Sequence, residues 1–279
     1  MKKILFLACV CCTFLACENV EKKANEQLQA ARSAYEQGDY NTVKNLIDSI
    51  KICYPKAFET RKASIRLMQE VELKEQENSL AYLDSMLNEK QADLATIRKK
   101  FVLEKDSEYQ EVGNYLVPSQ VLEKNLHRSY LRFQVDETGL MSMTSIYCGK
   151  RPIHHIAVKV TAPDGSFAET PASTDSYETS DLGEKIEKAE YKLGADGSVI
   201  SFICLHKDKN LRVNYQGEHP YTTSMTAADR QAAYDIYQLA QTLSAITEIK
   251  KNQEEALLKK KFILKKMEEK TEKKTDSQH

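Results

Sequence analysis

The apolar positions of this chain fall into three rhythms. Leu73, Leu80, Leu83, Leu87, Leu94, Ile97 and Phe101 recur on alternating three- and four-residue steps, interrupted by Gln76 and Lys90. The stretch from Lys56 to about Lys105 holds no Gly and no Pro and is rich in Glu, Lys, Gln, Leu and Ala, all good helix formers. A strict seam of this kind predicts a coiled-coil helix over 56–106. Fully helical, it would be about 75 Å long, too long to be stable in water without a partner for its stripe. A second seam, Leu239, Leu243, Ile246, Leu257, Leu264 and Met267, diluted by Lys250, Gln253 and Lys260, predicts another such helix over 226–270. Thr226 is placed as its N-cap, with Asp229 in the capping-box position. The economical arrangement pairs the two helices antiparallel, each seam covering the other, with whatever lies between them at the tip. Pairing between chains, as a homo-oligomer, is the rival.

The second rhythm is shorter. Residues 20–52 read as a helical hairpin. Ala30, Ala31, Ala34 and Tyr35 form a small-plus-aromatic face, Gly38-Asp39-Tyr40 breaks the pattern, and Val43, Leu46, Ile47 and Ile50 form a second stripe. Tyr54-Pro55 closes it, and Pro55 suits the first position of a following helix.

The third rhythm has period two. Leu131, Phe133 and Val135 alternate with Tyr130, Arg132 and Gln134, Ile156, Val158 and Val160 with Ala157 and Lys159, and Leu211, Val213 and Tyr215 alternate again. Val199 to Leu205 is apolar on both parities and reads as a strand buried on both faces. Turn signals separate these runs at Asp136–Gly139, Pro163–Gly165, Asp196-Gly197 and Lys207–Asn210. Short strands with no long helical run between them predict an antiparallel, sandwich-like β-domain over 112–222. Gly149–His155 is a polar link between two strands, and Ala168–Gly183 reads as a long surface loop. The expected fold class is therefore α+β: a hairpin over 17–55, the first long helix, the β-domain, the second long helix, and a disordered basic tail over 271–279.

The chain opens with Lys2-Lys3 and an uncharged apolar run, Ile4–Ala16, and turns polar straight after Cys17. This is the layout of a secretory signal over 1–16, too short to span a membrane. Phe14-Leu15-Ala16-Cys17 resembles the lipobox of bacterial lipoproteins, although Phe14 and Leu15 stand where that family prefers Leu and then Ala or Ser. The resemblance implies diacylglycerol on the Cys17 thiol and acylation of its freed amine, palmitate being a typical chain. A signal peptide cut without lipidation, or an uncleaved anchor, is the alternative. Each buried CH2 contributes about 0.8 kcal/mol, so two or three chains hold a soluble protein at a bilayer. By resemblance to lipoprotein sorting, Glu18 beside Cys17 favours the outer membrane. The run from Ala30 to Pro55 likewise resembles a single tetratricopeptide repeat, in Ala34-Tyr35, Gly38-Asp39-Tyr40, the second amphipathic helix and Pro55. No second copy follows it, which argues against a solenoid with a peptide groove.

Composition narrows the function classes. Lysine and arginine number 40 against 41 acids; loss of the leader removes Lys2 and Lys3 and leaves a net charge of −3, no signature of nucleic-acid binding. Residues 250–279 carry ten lysines against five Glu and one Asp, a local excess that would attract anionic lipid or glycan, or simply solvate a helix end. Beyond Cys17 the cysteines are Cys53, Cys148 and Cys204, too few and too scattered for a disulfide scaffold. Cys148 and Cys204 are either buried thiols or a pair across the core.

No Gly-rich phosphate loop, HExxH, GxSxG or mature CxxC is present, so no catalytic residues, metal ligands or cofactor are assigned, and a hydrolase is the minor alternative. His154 and His155 are adjacent and, on a strand, would point to opposite faces. With Tyr177 they are the candidate ligand-binding residues of the two loops. The expected function is a lipid-anchored envelope protein with a structural or interaction role, its partners membrane lipid through Cys17 and other envelope proteins. A glycan- or peptide-binding module is the alternative, and the absence of Trp weighs against strong glycan binding.

Overall fold

The structure, a computed structural model, describes residues 20–275, with side chains as far as Glu269. The leader, Cys17 and residues 276–279 lie outside the described residues. The chain forms two compact units, one from the chain up to Ser85 together with the stretch from Lys251 onward, the other from Met86 to Lys250.

The first unit is helical. Helix α1 (residues 20–36) and α2 (Tyr40–Cys53) form a hairpin. Gly38 takes φ +76° at the turn, and Asp39 caps α2 by accepting the Thr42 N–H at 3.1 Å. Leu28, Ala31 and Ala34 meet Val43, Ile47 and Ile50, with Leu67 and Val71 of α3 (Phe58–Ile97) completing the cluster. Ala30, expected on the apolar face, is exposed; the buried face of α1 is Ala24, Leu28, Ala31 and Ala34, on three- and four-residue steps.

The last helix, α5 (Ala227–Thr275), packs antiparallel against α3 within the chain. Gln253 Nε2 donates to Asp84 Oδ1 at 2.5 Å, and seven residues on Lys260 meets Glu77, seven residues back, at 3.2 Å. The α3 seam residues are half-buried throughout, Gln76 and Lys90 included. The α5 seam differs from expectation at two positions. Leu257 and Leu264 are exposed, whereas Ile249, Ala256 and Ile263 are buried. At Leu243, Ile246 and Ile249 the buried positions follow on two successive three-residue steps. The covered face then runs through Gln253, Ala256, Lys260, Ile263 and Met267, a break in heptad phase that leaves Leu257 and Leu264 outside it. Helix α5 also runs to Thr275, into the stretch expected to be disordered; Thr271–Thr275 contains no Gly or Pro to stop it. No helix among the described residues is long and apolar enough to cross a membrane.

The second unit carries two antiparallel sheets. One has six strands, β1 (Val102–Glu104), β2 (Asn114–Leu116), β3 (Tyr130–Asp136), β4 (Met141–Gly149), β8 (Glu184–Lys192) and β7 (Ser176–Asp181), in that spatial order. The other has four, β10 (Tyr221–Ser224), β9 (Arg212–Gln216), β5 (Ala157–Thr161) and β6 (Phe167–Glu169). Both supply one core: Phe133, Val135 and Met143 from the first, Val158, Val213 and Tyr215 from the second, joined by Ile236, Leu239 and Leu243 of α5. Leu94, Ile97 and Phe101 pack on its margin. Helix α3 ends at Ile97 and β1 begins at Val102, so helix gives way to sheet earlier than the pattern predicts.

Two strand-level expectations are overturned. Val199–Leu205 is helix α4, not a strand. A short run apolar on both parities fits a buried strand or a buried helical turn equally well. The flanks decide: Asp196 Oδ2 accepts the Ile200 N–H at 2.7 Å and Oδ1 accepts the Gly194 N–H at 3.0 Å. Val199, Ile200 and Ile203 then face the core while Leu205 is exposed. Ala168–Gly183 is not one loop but contains β7, an edge strand whose exposed Ser, Asp and Glu side chains mask it as loop. Leu182 and Gly183, both at positive φ, turn it into β8.

Cys53, Cys148 and Cys204 are free thiols. Burial, with the carboxylate of Glu184 beside it, pushes Cys148 up to about 11; burial, with Asp196 nearby, pushes Cys204 up to about 12. Thiols so raised are poor nucleophiles.

Candidate functional site

The link Gly149–His155 leaves β4 and enters β5 across the edge of the core, so its backbone N–H groups must find acceptors there. One side chain supplies them for the last three residues. The alternation of β8 turns Glu187, Ala189 and Tyr191 inward, placing a carboxylate among apolar residues. Glu187 Oε1 accepts the N–H of Ile153 at 2.6 Å and of His154 at 3.0 Å. Oε2 accepts the N–H of His155 at 2.8 Å and its Nδ1–H at 3.0 Å. Burial by itself would raise the Glu187 carboxyl; the N–H groups of His155, Ile153 and His154 outweigh it, and the net displacement is downward. The same clasp holds His154 at φ +51°, a conformation that costs a non-glycine residue on the order of 1 kcal/mol.

The two histidines diverge, as their adjacency predicts, although they lie just ahead of β5 and not on it. His155 turns inward, edge-on to the Tyr215 ring with centroids 5.2 Å apart, and its Nε2 lies 2.8 Å from Ser145 Oγ on β4. Burial pushes its imidazole below the ordinary range, against the pull of Glu187. The neutral ring thus donates from Nδ1 to Glu187 and accepts at Nε2 from the Ser145 hydroxyl. His154 turns outward, its Nδ1 at 2.9 Å from Glu178 Oε1 on β7, and that carboxylate raises its pKa.

Ser145, His155 and Glu187 reproduce the hydroxyl–imidazole–carboxylate order of a hydrolase relay. Chemistry at Ser145 is blocked twice. Its residue is 0% exposed, and it sits mid-ladder on β4, between Leu131 of β3 and Ala189 of β8, where the ladder consumes the amides an oxyanion would need. As folded, the relay fastens the link to β4 and β8 of the six-stranded sheet, and the His155 ring meets the four-stranded sheet through Tyr215.

His154, Glu178 and Glu187 bring ligand atoms within 4.8 Å of one another. A cation there meets a difficulty: all four acceptor directions of Glu187 are already filled by N–H donors. Two exposed ligands remain, short of the three or four a zinc site needs.

Tyr177 is not part of this group. It is 60% exposed on β7 and lines a cleft of about 260 Å³ on the outer face of the six-stranded sheet, with Arg132, Asp175, Lys188 and Glu190. Arg132 is held there by Glu104 of β1 at 2.8 Å. The candidate residues thus separate into a buried clasp (His155), a surface ion pair (His154) and a charged cleft (Tyr177). Sequence reasoning missed Glu187, Ser145 and the charged residues of the cleft. A signal existed for Arg132 and Lys188, which occupy outward positions of alternating strands. Glu187 carried none, because nothing local marks which carboxylate of a charged strand faces inward.

A second buried knot lies in the same unit. Asp229 accepts from Arg128 Nη2 at 2.6 Å, from Thr226 Oγ1 at 2.7 Å and from Gln120 Nε2 at 3.2 Å, and its own N–H donates to Thr226 Oγ1 at 3.1 Å. The expected cap of α5 is present, with a long-range arginine added.

The sequence matches no protein-family model, and no curated protein is similar to it at a significant level.

Proposed function

We propose that this protein is a lipid-anchored lipoprotein of the bacterial cell envelope, with a structural or protein-interaction role and no catalytic one. The observation that carries this reading is the apolar, lipobox-like run ending at Cys17, followed within three residues by the first described helix. The architecture supports it: α3 and α5 cover each other's stripes within one chain, and the catalytic-looking relay found among the described residues is sealed in the core. The anchor would be the acylated Cys17, in the outer membrane by the Glu18 preference, with envelope proteins as partners. Mass spectrometry of the amino-terminal peptide tests the anchor. The expected result is Cys17 carrying a diacylglyceryl group and an acylated amine, and Cys17→Ser releasing the protein from sedimented membranes. An unmodified sulfur, or a serine variant that sediments unchanged, overturns the reading.

A second reading, that the outer face of the six-stranded sheet binds a charged peptide or glycan fragment, is favoured by the cleft beside Tyr177. Its opposed charges, Arg132 and Lys188 against Asp175 and Glu190, suit a zwitterionic peptide better than a neutral sugar. Titration with cell-wall peptides should show binding that Tyr177→Ala and Lys188→Ala weaken; affinity unchanged in both variants removes the cleft from the account.

A further inference from the structure

The end of the helical unit where α2 turns into α3 exposes two large apolar side chains. Ile52, in the last turn of α2, is 76% exposed, and Phe58, the first residue of α3, is 71% exposed. Neither is required by the unit's own core, which closes over Ile50 and Ala57 beside them. The same end is basic: residues 51–62 carry exposed Lys51, Lys56 and Lys62 and half-buried Arg61, against the acid Glu59. Arg61 is fixed in place by donating to the Pro55 carbonyl at 2.9 Å.

The amino-terminal helix arrives at this end too. Glu21 Oε1 accepts both the N–H and the hydroxyl of Thr60, at 2.8 and 2.7 Å, which pins the first turn of α1 to the first turn of α3. Glu21 is half-buried in that contact, and Lys22 and Lys23 stand exposed beside it, two cations against its one carboxylate. From Val20 the chain has three residue steps back to Cys17, a reach of at most about 11 Å.

We infer that this end of the helical unit is a membrane-contact surface whose occupant is an anionic lipid bilayer: Ile52 and Phe58 enter the interface while the lysines around them meet lipid phosphates. The inference rests on the Cys17 anchor for its biological setting, since an acyl chain so close to Val20 would hold this end, and not another, at the bilayer. Apolar residues ringed by lysines are what an interface of mixed acyl and anionic character selects. Exposed leucines on α5 lack this placement next to the anchored end.

The test does not use the anchor, so the two ideas fail separately. The processed chain, residues 17–279 with Cys17→Ser, carries no lipid and contains no tryptophan. Phe58→Trp therefore supplies a single indole at the proposed contact. Tyr82→Trp, at a position 65% exposed on α3 in the same unit, supplies the control. With phosphatidylcholine vesicles containing phosphatidylglycerol, Phe58→Trp emission should shift to the blue and be quenched by brominated lipid. It should revert in about 0.5 M salt, where the Debye length is a few ångströms. The control should stay water-like. Ile52→Ser with Phe58→Ser, in the same anchor-free chain, should lower vesicle partitioning roughly tenfold. An unshifted indole at position 58, an equal shift at position 82, or unchanged partitioning of the double serine variant overturns the inference. An unmodified Cys17 would instead overturn the lipoprotein reading and leave these spectra as they are.

Discussion

The helical unit and the β unit handle polar groups in opposite ways, and the difference follows from where their backbone hydrogen bonds go. A helix satisfies its own amides, so the helical unit needs little from side chains beyond its caps. Its ion pairs, Lys44–Glu75 and Lys260–Glu77, sit half-exposed on the rims of apolar stripes. Glu21 at the start of α3 meets a helix end, where free N–H groups are expected. In the β unit, links and turns carry unpaired amides into the core, and buried acceptors answer them. Glu187 takes three backbone N–H groups, Asp196 two, and Gln120 one from Phe133 at 2.7 Å. The lesson is that stability in the first unit is spread along stripes, while in the second it is concentrated in a few polar residues that a hydrophobicity pattern does not reveal.

That contrast can be broken by substitution. Glu187→Ala should be the most damaging single polar change, about 3–5 kcal/mol, because it strands several donors in the core at once. Glu187→Gln should also destabilise, since whichever way the amide lies its NH2 faces a donor. Urea midpoints of both variants measure this; losses under about 1 kcal/mol would show that the clasp is not the organising element of the β unit.

Next in size is Asp229→Ala, expected to cost about 2–3 kcal/mol. This lies below the range for a fully buried pair because Arg128 keeps some contact with water. The loss should be accompanied by faster amide exchange in the first turn of α5, where the Thr226–Asp229 cap is removed.

Acidification sharpens the comparison further. His155 is held below its ordinary value near 6.5, so the unfolded chain takes up a proton as pH falls through that value while the folded chain does not; stability drops. Glu187 is held below its ordinary 4.5, so its contribution is intact above that pH and is lost as pH falls through its folded value. Both act in the same direction. Unfolding midpoints measured from pH 8 to 5 should fall, and His155→Gln should flatten the part of the profile around pH 6. A profile equally steep in the variant would assign the acid sensitivity elsewhere.

The smallest effect belongs to the helical unit. Lys260→Glu should cost no more than about 1 kcal/mol, and adding Glu77→Lys should restore most of it, as expected of an exposed pair. Salt should erase the difference. A larger loss would mean that the helical unit also depends on point fastenings.

Much of the architecture was legible in the chain. Gly38 with Asp39 marked the hairpin turn, the three-four seam of α3 marked its half-buried face, and Thr226 with Asp229 marked the start of α5, because each signal is local and its partner lies within a turn. Legibility failed where two local solutions were equally good. Val199–Leu205 is apolar on both parities, and only Asp196 and its turn select a helix. Ser176–Asp181 is polar enough to pass for a loop, yet it pairs along β8 from Ser176–Ala189 to Asp181–Glu184. Of the candidate residues, His154 and His155 were placed near each other by adjacency, but their separate partners, Glu178 and Glu187, come from strands far along the chain.

What the sequence determined by itself was periodicity and punctuation: which stretches repeat at helical or strand spacing, where they break, and that a short uncharged apolar run ends at Cys17. The tertiary structure alone decided which carboxylate faces inward, which seam position of α5 is covered, and which side chains share a site. The physical reason is range. Backbone preference and capping are settled within four residues, whereas the cost of burying Glu187 or of exposing Leu257 is set by groups that reach it only after the chain has folded.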